Sequence, residues 1–162
     1  MKRPDCIRHW REVEGPDDST YSGSKELFSI GAPLARRLGL TRMGIHHERL
    51  PPGRRTSYPH AESDEEEFIY VLEGHPHVWI NGYLWPLSRG DSVGFPAGTG
   101  VCHTFINDSE EDVCLLVVGE ANKKHNRIYY PLNPDYAATR EDRWVDHPPQ
   151  FFGPHNGKPS AK

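Results

Sequence analysis

"EFIYVLEGHPHVWINGYLWPL", residues 67–87, decides the fold. Its first half is rich in β-formers, and Asn81-Gly82 stands between two further β-rich segments. Asn-Gly supplies the two positive-φ positions that a type I′ turn requires, so the spacing predicts a hairpin across it. Downstream the pattern repeats. A turn at "SRGD" (88–91) precedes "SVGF" (92–95), turn-rich "PAGTG" (96–100) precedes "CHTFIN" (102–107), and polar "NDSEED" (107–112) precedes the apolar run "VCLLVVG" (113–119). Short strands about ten residues apart, separated by Gly and Pro turns, point to an all-β sandwich or barrel rather than βαβ units.

Upstream the signal is weaker. In "LFSIGAPLARRLGLTRMGIHHERL" (27–50), Leu38, Leu40, Arg42, Gly44 and His46 alternate with Gly39, Thr41, Met43 and Ile45, which reads as a strand interrupted by Gly. Residues 1–26 are polar and read as an N-terminal extension. Beyond Ile128 the chain is rich in Pro and poor in alternation, so 131–162 reads as an irregular tail that wraps the barrel or a neighbouring subunit. Trp144, Phe151 and Phe152 would be out of place in a freely solvated tail.

Composition narrows the function classes. The 162 residues fit one domain, with a hydrophobic fraction of 35%, 15 Gly and 15 Pro. A net charge of -4 offers no basic field for nucleic acid. Cys6, Cys102 and Cys114 are far apart and form no CxxC pair, which suggests free or buried thiols in a reducing compartment. "MKRPDCIRHW" lacks the apolar core of a signal peptide, and no run approaches the roughly 18 apolar residues of a membrane span. The expectation is a cytoplasmic protein with no nucleic-acid or membrane partner.

Residues 60–67, "HAESDEEE", carry one His and five carboxylates. In a strand His60 and Glu62 project to one side, while Glu67 shares a face with Ile69 and Val71, and His103 with Phe105 and Asn107. Imidazole with carboxylate suits Zn, Mn, Fe or Ni, and two His with one carboxylate is the facial pattern of non-haem Fe(II) enzymes. The other reading is a polar cavity that takes an organic ligand without metal. Asp64, Glu65 and Glu66 read as solvated connection, and His75 and His77 as rim histidines. One of His46 and His47 faces the cavity if their strand lines it. Arg54 and Arg55 read as a solvated loop, with a clamp on an anionic substrate as the alternative. Trp79, Trp85 and Phe105 read as core.

These residues resemble the two motifs of the cupin superfamily. The first motif, G-x5-H-x-H-x3,4-E-x6-G, is similar to Gly53, His60, Glu62, Glu67 and Gly74; the second, G-x5-P-x-G-x2-H-x3-N, is similar to Gly90, Pro96, Gly98, His103 and Asn107. Glu62 stands where the motif has a second His, and the turn before His103 is two residues longer. The resemblance covers residues 53–107. It implies an all-β fold, a cupin-type double-stranded β-helix (jelly-roll barrel) over 27–130, with irregular extensions at both ends. It also implies one divalent transition metal (Fe, Mn, Ni or Zn) on His60, Glu67 and His103. Glu62 is either a fourth ligand or a free catalytic carboxylate that moves a proton. "HAES…EEEF" and "FPAGTG…CHTFIN" are further similar to a subgroup labelled sugar-phosphate isomerase-like. The expected activity is isomerisation of a small acid or sugar derivative; the alternatives are an Fe(II) dioxygenase and a non-catalytic binding or sensing module. Barrels of this kind often pair, so a homodimer is expected.

Overall fold

The computed structural model describes residues 3–121 and 123–160. Eleven strands run in chain order: β1 (Ile30–Pro33), β2 (Met43–Leu50), β3 (Arg54–Arg55), β4 (Ala61–Glu62), β5 (Glu67–Glu73), β6 (His77–Ile80), β7 (Tyr83–Pro86), β8 (Ser92–Phe95), β9 (His103–Asn107), β10 (Val113–Glu120) and β11 (Ile128–Tyr129). Two short helices, α1 (Leu34–Arg37) and α2 (Pro134–Ala138), complete the set with a 3₁₀ turn at Trp10–Glu12. One sheet has the order β1-β2-β10-β5-β8, a second β3-β9-β6-β7, and β11 pairs with β4; all pairings are antiparallel.

Period-2 alternation aims both larger sheets at one core. Leu50 from β2, Ile69 and Val71 from β5, and Val113 and Leu115 from β10 meet Val78 and Phe105 of the other sheet, with Phe95 of β8 beside them. Phe68 and Tyr70, one step out of phase, face outward. The hairpin forms where Asn-Gly placed it: Ile80 pairs with Tyr83, and φ is 45° at Asn81 and 88° at Gly82. A Cβ at Gly82 would stand 2.4 Å from the Gly153 backbone, so the approach of the tail also demands glycine there.

Both extensions are built into the barrel. Trp144 joins Ala61, Trp79, Cys102 and Ile106 in a second cluster, and Trp79 Nε1 donates to the His155 carbonyl at 2.9 Å. Gly153 N donates to Asn81 O and His155 N to Gly82 O. Tyr21 from the N-terminal segment packs with Phe28, Tyr58, Tyr130 and Tyr136 in a third cluster. Phe152 stacks on Trp79, whereas Phe151 stays 94% exposed.

Three local expectations are corrected. Alternation over residues 38–45 does not make one strand: α1 ends at Arg37, Gly39 just beyond it has a φ of 77° that lets the chain reverse, and β2 begins only at Met43. Trp85 is 56% exposed because it lies on β7, the edge strand of its sheet. Arg54 and Arg55 are not a solvated loop. Arg55 is 1% exposed and donates from Nε and Nη2 to Glu26 at 2.6 and 2.8 Å, while Arg54 pairs with Asp17. No helix among the described residues is long and apolar enough to cross a membrane.

Candidate metal centre

Two backbone hydrogen bonds set the histidines side by side. His60, just before β4, and His103, the first residue of β9, exchange N–H···O bonds of 3.2 and 2.9 Å, which brings their rings to 5.0 Å between centroids. Each ring is oriented by a further contact. His60 Nδ1 lies 2.9 Å from the Tyr58 carbonyl, a geometry that puts the proton on Nδ1 and leaves the Nε2 lone pair free. His103 stacks on Phe95 at 3.5 Å and 6°, and its Nε2 stands 2.6 Å from Oε2 of Glu67, the first residue of β5. One donor atom from each of His60, Glu67 and His103 lies within 4.8 Å of the other two, and they form the one such group of three among the described residues.

Electrostatics fits a cation between them. Burial raises the Glu67 carboxyl, but the His103 hydrogen bond and the nearby charges of His103, His60 and His46 outweigh it, and the net pKa falls below the ordinary value. Burial holds His103 below the usual imidazole range against the pull of Glu67. An ionised carboxylate and neutral imidazoles are the forms that bind a transition metal. The donor set of two nitrogens and one carboxylate therefore fits a borderline divalent ion.

Glu62 sits beside this group but outside it. Its carboxylate accepts from Asn126 Nδ2 at 3.1 Å, and β4 is tied to β11 through the Glu62–Ile128 pair. Burial pushes its pKa up to about 7, against His60 and with Glu67 and Glu65. It lines a pocket of about 10 Å³ with Thr99, Val101 and His103. Asp64, Glu65 and Glu66 lie on the connection to β5; Asp64 N and Glu65 bond to the 123–126 loop. His75 is exposed and His77 half-buried, 4.0 Å from Asp108. Of the β2 pair, His46 shares the inward face with Leu50 and feels the Glu67 charge, while His47 points the other way and stacks on Trp10 at 4.2 Å.

The group opens on a cavity of about 80 Å³, walled also by Thr56, Ser57, Ile69, Phe105, Val117 and Glu48. Glu48 escaped the sequence reading. The available signal was alternation in "MGIHHERL", which puts His46, Glu48 and Leu50 on one face of β2. A larger groove of about 390 Å³ is lined by Met43, Phe68 and Val118 together with Glu66, Glu67 and Glu120, and no His among the described residues lines it.

Residues 46–119 match the family model described as Cupin domain. No curated protein matches the chain. Among solved structures, a sugar phosphate isomerase from a cupin superfamily, of Silicibacter pomeroyi, is 30% identical with a TM-score of 0.60 over 63% of this chain and 64% of that one. The chain thus spans less than two thirds of that relative. A candidate sugar phosphate isomerase of Acidithiobacillus ferrooxidans is 26% identical, with a TM-score of 0.65 over 78% and 81%. A polyketide cyclase of Streptomyces resistomycificus, 22% identical with a TM-score of 0.62 over 88% and 95%, shares the fold.

Proposed function

Because residues 46–119 match the Cupin domain model, we propose that the chain is a cupin and a metal-dependent enzyme that isomerises a small, uncharged hydroxy-carbonyl compound of the sugar type. The observation that carries this reading is the convergence of His60, Glu67 and His103 within 4.8 Å at the wall of a cavity. These three residues would hold one Fe, Mn, Ni or Zn ion. Such an ion supplies Lewis-acid polarisation of a carbonyl or hydroxyl oxygen. The Thr56 and Ser57 hydroxyls offer hydrogen bonds to substrate hydroxyls, and Ile69, Phe105 and Val117 keep bulk water from the reacting carbon. Glu62, beside the cluster, is a carboxylate free of the donor set and a candidate to move a proton.

The names of the two isomerase relatives suggest a phosphorylated sugar, but the cavity argues for an uncharged one. No Lys or Arg lines it among the described residues, and Arg54 and Arg55 are committed to Asp17 and Glu26. A phosphate would meet Glu48 and Glu67, with the metal ion alone and no Lys or Arg among the described residues to balance it. Oxygen-dependent chemistry is the second reading, favoured by the donor set itself, which is that of Fe(II) oxygenases. Pairing of two copies is proposed as well, motivated by the exposed Phe151, and sedimentation velocity tests it.

Elemental analysis of the full chain and of His103→Ala, before and after incubation with Fe, Mn, Ni and Zn, tests the centre. The wild type takes up one equivalent of one of them and the variant does not; a wild type that takes up none refutes the reading. Aldose–ketose interconversion without oxygen, set against oxygen uptake with the same compounds, separates the two chemistries.

A further inference from the structure

Three carboxylates stand near the centre, and they differ in what they can reach. Glu67 belongs to the donor cluster. Glu62 is held by Asn126 and lines a separate pocket of about 10 Å³, shared with Glu67 and His103, with room for one water at most. Glu48 lines the cavity of about 80 Å³ itself, the one that also borders His60, Glu67 and His103. We propose that Glu48, seated on Ser29, is the catalytic acid–base that takes and returns the proton at the substrate carbon, a proposal that rests on the isomerase reading above.

The setting of Glu48 is that of a proton carrier. Among the described residues the one hydrogen bond to its carboxyl comes from Ser29 Oγ, which donates to Oε2 at 2.6 Å. Around it stand the apolar side chains of Ile69, Phe105 and Val117, and among the described residues no Arg or Lys lines the cavity. The titratable groups on the same cavity or face are Glu67 from β5, His103 from β9, His60 and, on its own strand, His46. β2 is paired on both sides, with β1 and β10, so the carboxyl sits on a rigid wall. Burial, opposed by Ser29 and reinforced by Glu67, pushes its pKa up to about 7, where one group can both accept and donate a proton at neutral pH.

The step balances without a redox partner. Glu48 as carboxylate removes the hydrogen from the carbon that bears the hydroxyl. The C–H pair becomes the C=C of an enediolate, and the carbonyl pair moves onto its oxygen. Glu48 then returns that proton to the former carbonyl carbon, while the hydroxyl proton passes to the former carbonyl oxygen and a new carbonyl closes at the neighbouring carbon.

Two measurements on the full chain test this. In the first, infrared difference spectra are recorded across neutral pH for wild type, E48Q, E62Q and S29A. A protonated-carboxyl band that E48Q removes, and whose midpoint S29A moves upward, supports the assignment; an E48Q spectrum identical to wild type overturns it. In the second, metal-loaded protein is given glyceraldehyde and, separately, dihydroxyacetone without oxygen, and NMR follows their interconversion. E48Q slows interconversion by about a hundredfold or more at unchanged metal content, as loss of an acid–base group does. Interconversion by E48Q at the wild-type rate, or its abolition by E62Q instead, sinks the role of Glu48 while the isomerase reading stands. No interconversion by the wild type sinks the isomerase reading and the catalytic role with it. S29A, which keeps the carboxyl, decides the first measurement should E48Q fail to fold.

Discussion

Arg55 joins three parts of the chain at one guanidinium, so its replacement by Met tests how the extensions are held. Nε and Nη2 grip Glu26 of the N-terminal segment, Nη1 donates to the Gly157 carbonyl of the tail at 2.7 Å, and the group lies 5.0 Å over Tyr58. Removing one partner of a buried ion pair costs about 3–5 kcal/mol, because the other charge is left without compensation. Glu26 keeps a 31% exposed side chain and recovers some hydration, which places Arg55→Met at the low end, about 3 kcal/mol. Arg54→Met is the control: its pair with Asp17 is more open to water, so its loss destabilises far less. Urea unfolding followed by tryptophan fluorescence reads both, since Trp79 and Trp144 are buried. A loss of about 3 kcal/mol corresponds to a fall in Tm of about 6–12 °C for a chain of this size. Arg55→Met within about 1 kcal/mol of wild type, or no better resolved from it than Arg54→Met, refutes the claim that this ion pair secures the extensions. Metal affinity is the second readout, because Arg55 packs on Tyr58, whose carbonyl orients His60.

Other expectations follow from the same geometry. Glu67→Gln and His103→Ala each remove a donor and lower metal affinity by more than about a hundredfold in equilibrium dialysis, since loss of an outer partner alone costs about 10–100-fold. Glu48→Gln changes the pH dependence of stability: with its pKa raised from 4.5 to about 7, the folded chain holds the extra proton within that window, so wild-type stability falls as pH rises through it and the variant lacks this slope. Above the window Glu48→Gln is more stable than wild type by at most about 3 kcal/mol, at 1.36 kcal/mol per pH unit; denaturation at several pH values reads it, and parallel curves contradict the burial of this carboxyl. Inorganic phosphate at millimolar concentration leaves turnover of an uncharged sugar unchanged, because no Lys or Arg among the described residues lines the cavity beside the metal ion; competitive inhibition contradicts that.

The parts written in local chemistry were legible without coordinates. Asn81-Gly82 makes its turn because both positions need positive φ, and the in-out phase of "EFIYV" follows from a side-chain period of two. The spacing of His60, Glu67 and His103 picked out three residues that the barrel does bring together. Glu62 was legible as a carboxylate on the side of His60, yet its hold on Asn126 depends on a loop 64 residues away. Arg55 looked solvated because nothing near it in sequence pairs with it; its partners come from residues 26 and 157. Trp85 looked buried because an aromatic in a strand usually is, and only the sheet order puts it on an edge. Glu48 was visible as a face-mate of Leu50, but a period of two says which residues share a wall and not which walls enclose a cavity. Sequence alone thus determined turns and strand phase and named the candidate donors, because these follow from chemistry within a few residues; tertiary structure decided what is enclosed and what pairs, because burial and charge compensation depend on segments distant along the chain.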